Sequence, residues 1–85
     1  MYRIGKLYRL IVGKHGISAF ADYETLNDWA NGFAVNGGEN ITGYFMVIEK
    51  KFVGINDRIH LRVLYEDRYL WIDATAYNCE FVGED

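Results

Sequence analysis

The sequence predicts a mainly β, α+β fold in a single domain. Three observations carry that expectation: a pair of alternating strands in the last third of the chain, β-forming residues in two earlier stretches, and one short, well-punctuated helix between them. The chain has 85 residues and no proline, and shows no internal repeat, low-complexity tract or composition shift that would mark a domain boundary. One domain, residues 1–85, with the helix inserted near 22–32, follows from that length.

The hairpin organises the rest. From Ile59 the residues alternate, with Ile59, Leu61, Val63 and Tyr65 on one side and Arg58, His60, Arg62, Leu64 and Glu66 on the other, the period-2 pattern of a half-buried strand. With Glu66 and Asp67 at the tip, Tyr65 faces Arg68, Leu64 faces Tyr69, Val63 faces Leu70, Arg62 faces Trp71, Leu61 faces Ile72 and His60 faces Asp73. A four-residue loop from Tyr65 to Arg68 keeps that register, and since Glu-Asp is not the Asn-Gly or Asp-Gly preferred in tight turns, both forms stand open. A three-residue loop would slip the pairing by one and turn apolar residues outward. The chosen register collects Leu61, Val63, Leu70 and Ile72 into a core. It leaves His60, Arg62, Leu64, Tyr69, Trp71 and Asp73 on the opposite face, a mixture of aromatic and charged groups.

Taken in order, residues 2–12 are rich in β-formers and run into Gly13-Lys14-His15-Gly16, so a first strand ending in a turn is expected. Leu7 and Ile11 lie opposite Tyr8, Leu10 and Val12, so both faces are apolar and one needs a cover. The helix spans 22–32: Asp22 suits the N-cap, Glu24 the positive helix start, and Gly32 the left-handed position after the last turn. Leu26, Trp29, Ala30 and Phe33 form its apolar stripe. After the loop 36–40, a long strand over 41–52 is expected to bend near Gly43, and Val53 to Asp57 connect it to the hairpin. Residues 75–78 suit a single helical turn, 79–82 a short closing strand, and 83–85 an acidic, frayed tail.

The order strand, hairpin tip, Leu70-Trp71-Ile72, short turn and Glu80-Phe81-Val82 resembles the second half of Src-homology-3-like small barrels, over roughly residues 41–82. The resemblance implies an SH3-like barrel of about five antiparallel strands with one short inserted helix. The first half departs from peptide-binding members of that family: Lys6-Leu7-Tyr8-Arg9-Leu10 stands where they carry an Ala-Leu-Tyr-Asp-Tyr-like start, and the final-turn proline is missing. Recognition of proline-rich ligands is therefore not implied. The abundance of Ile, Lys, Asn, Tyr, Phe and Met also resembles that of small accessory proteins of T-even-like bacteriophages, many of them inhibitors of host enzymes and defence systems.

The net charge of −3 opposes broad, charge-driven attachment to nucleic acid or acidic membranes. A single cysteine, Cys79, excludes an intrachain disulfide, and no apolar stretch approaches the length of a membrane span. The expected location is cytoplasmic, the host cytoplasm for a phage product, and Asn40-Ile41-Thr42 is read as a chance glycosylation sequon.

Catalysis is not expected. His60 opposite Asp73 is the one pair suited to acid–base work, but a cross-strand polar pair explains it as well. Ser18 and Cys79 stand at no nucleophile spacing, the two histidines and scattered carboxylates show no metal-ligand pattern, and Gly37-Gly38 is too short for a phosphate loop. No cofactor or metal is implied. The expected activity is binding through Arg58, His60, Arg62, Arg68, Tyr69 and Trp71, with Arg62 stacked on Trp71. The expected partner is a host protein, such as a nucleic-acid enzyme or a toxin. The alternative is RNA or single-stranded nucleic acid, stacked on Trp71 and Tyr69 with Arg58, Arg62, Arg68, Lys50 and Lys51 on phosphates. A homo-oligomer built through sheet edges is a third possibility.

Overall fold

The computed structural model describes residues 3–10, 16–53, 58–74 and 81–84. Along the chain come β1 (Leu7–Leu10), β2 (Ile17–Phe20), α1 (Tyr23–Ala30), β3 (Glu39–Ile41), β4 (Tyr44–Val53), β5 (Arg58–Tyr65), β6 (Arg68–Asp73) and β7 (Phe81–Glu84). The strands form one antiparallel sheet in the order β3-β2-β6-β5-β4-β1-β7. The fold is mainly β with one short helix, as expected, but the described strands number seven rather than about five.

That order cannot be laid flat. β3 and β4 stand four places apart in the sheet, yet only Thr42 and Gly43 join them. Four inter-strand spacings of about 4.8 Å make about 19 Å, whereas three residue steps of at most about 3.6 Å span about 11 Å. The sheet therefore curls until the two strands meet at this link. Gly43 supplies the turn with φ +84, so the single strand expected over 41–52 is divided between an edge strand and a central one. Gly16 is fixed for a second reason: its φ is +75, and a Cβ there would stand 2.6 Å from the carbonyl oxygen of Ile41.

The curl gives the sheet its own core. Tyr8, Ile17, Ala19, Ile41, Phe45, Val47, Leu61, Val63, Leu70 and Ile72 are buried together on the concave face, and no residue of α1 belongs to this cluster. The hairpin contributes the four core residues expected of it, and its six cross-strand pairs match the expected register. Its tip is the tight form: Glu66 and Asp67 have φ of 47° and 64°, a two-residue turn whose twist suits the flanking strands. The composition left the wider loop open because neither residue is glycine; the sheet imposes the left-handed pair regardless.

Helix α1 packs on the convex face, against β2 and β6. Asp22 caps it through Thr25, accepting from the backbone N–H at 2.7 Å and from the hydroxyl at 3.0 Å; these bonds hold the Asp22 carboxyl below the usual range. The helix ends at Asn31, before Gly32 with φ +89. Leu26 is fully buried, whereas Phe33, expected in the same stripe, is 65% exposed because the helix has already ended.

Strand β2 occupies a stretch between Gly16 and the helix in which no element was expected. Glu39 and Asn40, expected in a loop, belong to β3, and Val53, expected in the connection, ends β4. The closing strand is displaced to 81–84, so Gly83 and Glu84, expected in a tail, pair with β1. The turn at 13–15, the connection at 54–57, the helical turn at 75–78, and Cys79 and Glu80 lie outside the described residues.

Candidate functional site

The convex face divides into two halves. Residues paired across antiparallel strands share a face, so Phe20, Trp71, Arg62 and Glu49 form one row, and Lys51, His60 and Asp73 another. A β-bulge between Val47 and Glu49 brings Lys51 into that row; without the extra residue Ile48, Lys51 would turn to the concave side.

The half under α1 is closed. Tyr23, the first helical residue, meets Trp71 edge to face at 4.8 Å between ring centroids, and Trp29 packs on Phe20 at 5.5 Å. His60 and Asp73, expected on an exposed face, are 1% and 2% exposed. The hairpin register was right; the helix laid over it was not visible in the alternation.

His60 Nδ1 lies 3.0 Å from the Tyr23 hydroxyl, while Nε2 lies 3.7 Å from Asp73 Oδ2 and has no hydrogen-bond partner. With Tyr23 donating to Nδ1, the ring is the neutral tautomer with its proton on Nε2, facing Asp73. Burial pushes the His60 pKa below its ordinary 6.5; Asp73 opposes that shift, and Arg58 and Lys51 add to it. Burial and then Asp73 push the Tyr23 pKa above 10.0. Lys51 Nζ sits 4.0 Å over the Tyr23 ring, and Arg58 donates to the Ala30 carbonyl at the last turn of α1. Strand β5 thus holds both ends of the helix, through Arg58 and His60.

Among the described residues the other half carries no helix. Leu7, Met46, Leu64 and Tyr69 are register partners in sequence across β1, β4, β5 and β6, and so form one apolar row over four adjacent strands. Leu7 is 37% and Tyr69 53% exposed, with Met46 and Leu64 half-buried between them. An arginine–tyrosine pair flanks each end: Arg62 lies 4.8 Å over the Tyr69 ring, and Arg9 lies 5.9 Å over the ring of Tyr44, itself 47% exposed.

Of the six expected binding residues, the structure leaves Arg62 and Tyr69 on this bare half. Arg62 stacks on Tyr69 rather than on Trp71, because Trp71 is taken by Tyr23. Arg58 and His60 serve the helix, and Arg68 forms a bidentate pair with Glu39 at 2.6 and 3.0 Å, tying the hairpin tip to β3. Leu7, Arg9, Tyr44 and Met46 were missed, since only the pairing of β1 with β4 brings them beside the hairpin.

A cleft of about 370 Å³ opens between residues 35–40 and the Phe20–Trp29 pair, with Ser18 at its wall hydrogen-bonded to Asn40 at 3.5 Å. Among the described residues no three His, Cys, Asp or Glu side chains gather to hold a metal ion, and no helix is long and apolar enough to cross a membrane. No family model, curated protein or solved structure matches this chain.

Proposed function

We propose that this chain is a non-enzymatic protein-binding module, an inhibitor or adaptor on an SH3-like small barrel, which docks its partner through the bare half of the convex face. The observation that carries this reading is the row Leu7–Met46–Leu64–Tyr69, running over four strands with no helix among the described residues on it. Buried aromatic and arginine side chains dominate binding energy at protein interfaces, and here two arginine–tyrosine pairs bracket an apolar centre. The partner is a folded protein whose surface offers apolar side chains rimmed by carboxylates, complementary to Arg9 and Arg62. Arginines already stacked on tyrosines lose less freedom on binding than free ones. The compositional resemblance to phage accessory proteins makes a host enzyme or defence protein the partner class to test first.

A non-catalytic role is supported by the site chemistry. The His60–Asp73 pair lies beneath α1, where a substrate does not reach it.

The test is a photo-crosslinking residue at position 64, compared with one at position 24 on the helix, in host lysate with and without nuclease treatment. The reading requires one crosslinked protein from position 64 and not from 24. That protein, purified, must lose at least about 30-fold in affinity with the Arg62→Ala/Tyr69→Ala variant, the scale of a hot-spot pair. Crosslinks to RNA or DNA alone, abolished by nuclease, overturn it in favour of nucleic-acid binding.

A further inference from the structure

The buried histidine on β5 is not used by the docking face, and the reading of that face does not bear on it. We propose that His60 makes the docking of α1 proton-sensitive, so that mild acid releases the helix from the sheet while the sheet stays folded.

The groups around the imidazole come from every element packed on it: Tyr23 of α1, Asp73 of β6, Lys51 of β4 and Arg58 of β5. In the neutral tautomer with its proton on Nε2, the ring accepts from the Tyr23 hydroxyl. A second ring proton replaces that acceptor with a donor, so the hydroxyl must turn from donating to accepting and the bond at the helix start reverses direction. Nε2–H has no hydrogen-bond partner, because Asp73 Oδ2 at 3.7 Å is too far to accept from it, and two cations oppose the new charge against one carboxylate. The ring is 1% exposed, so the charge is hydrated only if its cover lifts.

That cover is α1, and its removal is local. Eight residues are too few for a helix that stands alone in water, so α1 persists through what it touches. Its contacts include the Tyr23–His60 bond, the Arg58–Ala30 bond, the Lys51 ammonium over the Tyr23 ring and the packing of Leu26, Tyr23 and Trp29. The concave core contains no α1 residue, so the sheet keeps its own burial when the helix leaves. The ligand of this device is the proton.

Both tryptophans of the chain report on this contact, Trp29 from the helix and Trp71 from the sheet beneath it. The experiment follows tryptophan fluorescence from about pH 7.5 to about pH 5.0, across the range in which histidine titrates. Amide exchange at Val47 and Val63 is followed in parallel. The expected result is a reversible fluorescence transition centred below 6.5, with the Val47 and Val63 amides still protected. His60→Gln removes the transition, and His15→Gln at the other histidine keeps it. If His60→Gln does not fold, Tyr23→Phe decides: losing the donor to the neutral ring moves the midpoint upward. Unchanged fluorescence, a transition that survives His60→Gln, an unmoved midpoint in Tyr23→Phe, or loss of the Val47 and Val63 amides at the same midpoint would each overturn the proposal.

Discussion

The two halves of the convex face are built from the same strands but obey different rules. Under α1, polar and aromatic side chains are closed over until His60 is nearly inaccessible, and each takes part in holding the helix. Beyond the helix the same strands carry Leu64, Met46 and Tyr69, apolar groups with little over them. His60 and Asp73 are more deeply buried than Leu64 and Met46. A face evolved for solubility alone would place His60 and Asp73 outside and Leu64 and Met46 under the cover. The covered half serves the structure, and the proposed docking role rests on the bare half.

The comparison is broken most severely at Leu26, the fully buried anchor of the helix. Leu26→Ala is expected to cost about 2–5 kcal/mol in urea unfolding. A loss below about 1 kcal/mol would mean that the helix contributes little to the covered half. On the bare half Leu64→Glu should abolish partner capture, by about 30-fold or more in affinity. Its melting temperature should stay close to that of the unmodified chain; a collapse of the fold would mean that the row is core rather than docking surface.

Proton linkage sharpens the contrast further. The folded-state pKa of His60 is depressed below 6.5, so above 6.5 the ring is neutral in both states and adds no pH dependence. As pH falls through 6.5 the unfolded chain takes up the proton first, and stability declines until the folded pKa is passed. Denaturant titrations at several pH values should show this positive slope of stability with pH, and His60→Gln should flatten it.

The hairpin tip gives the smallest effect of the series. Glu66→Asn with Asp67→Gly relieves two left-handed backbone positions and should add about 1–2 kcal/mol. Neither half of the face should respond: tryptophan fluorescence and partner affinity are expected to match those of the unmodified chain.

Local alternation was enough for much of the fold. It placed the β5–β6 register to the residue, with Leu61, Val63, Leu70 and Ile72 in the core, and helix punctuation placed Asp22 at the N-cap. Those signals act between neighbours in sequence or across one tight turn. Strand β2 gave no such signal, since Ile17-Ser18-Ala19-Phe20 is short and its pairing partners lie far along the chain. The bulge at Ile48 was equally silent, yet it decides that Lys51 stands over Tyr23 rather than on the concave side.

The candidate site shows the same limit. Arg62 and Tyr69 were legible because they belong to the hairpin; Leu7, Arg9, Tyr44 and Met46 join them only through the β1–β4 pairing, across nearly forty positions of chain. What the sequence by itself determined was which residues alternate, which turn and which cap, because backbone sterics and hydrogen bonding act over a few residues. Which of the two faces stays open was decided by the tertiary structure alone. An eight-residue helix can cover only part of a seven-stranded sheet, and where it settles depends on packing between distant segments.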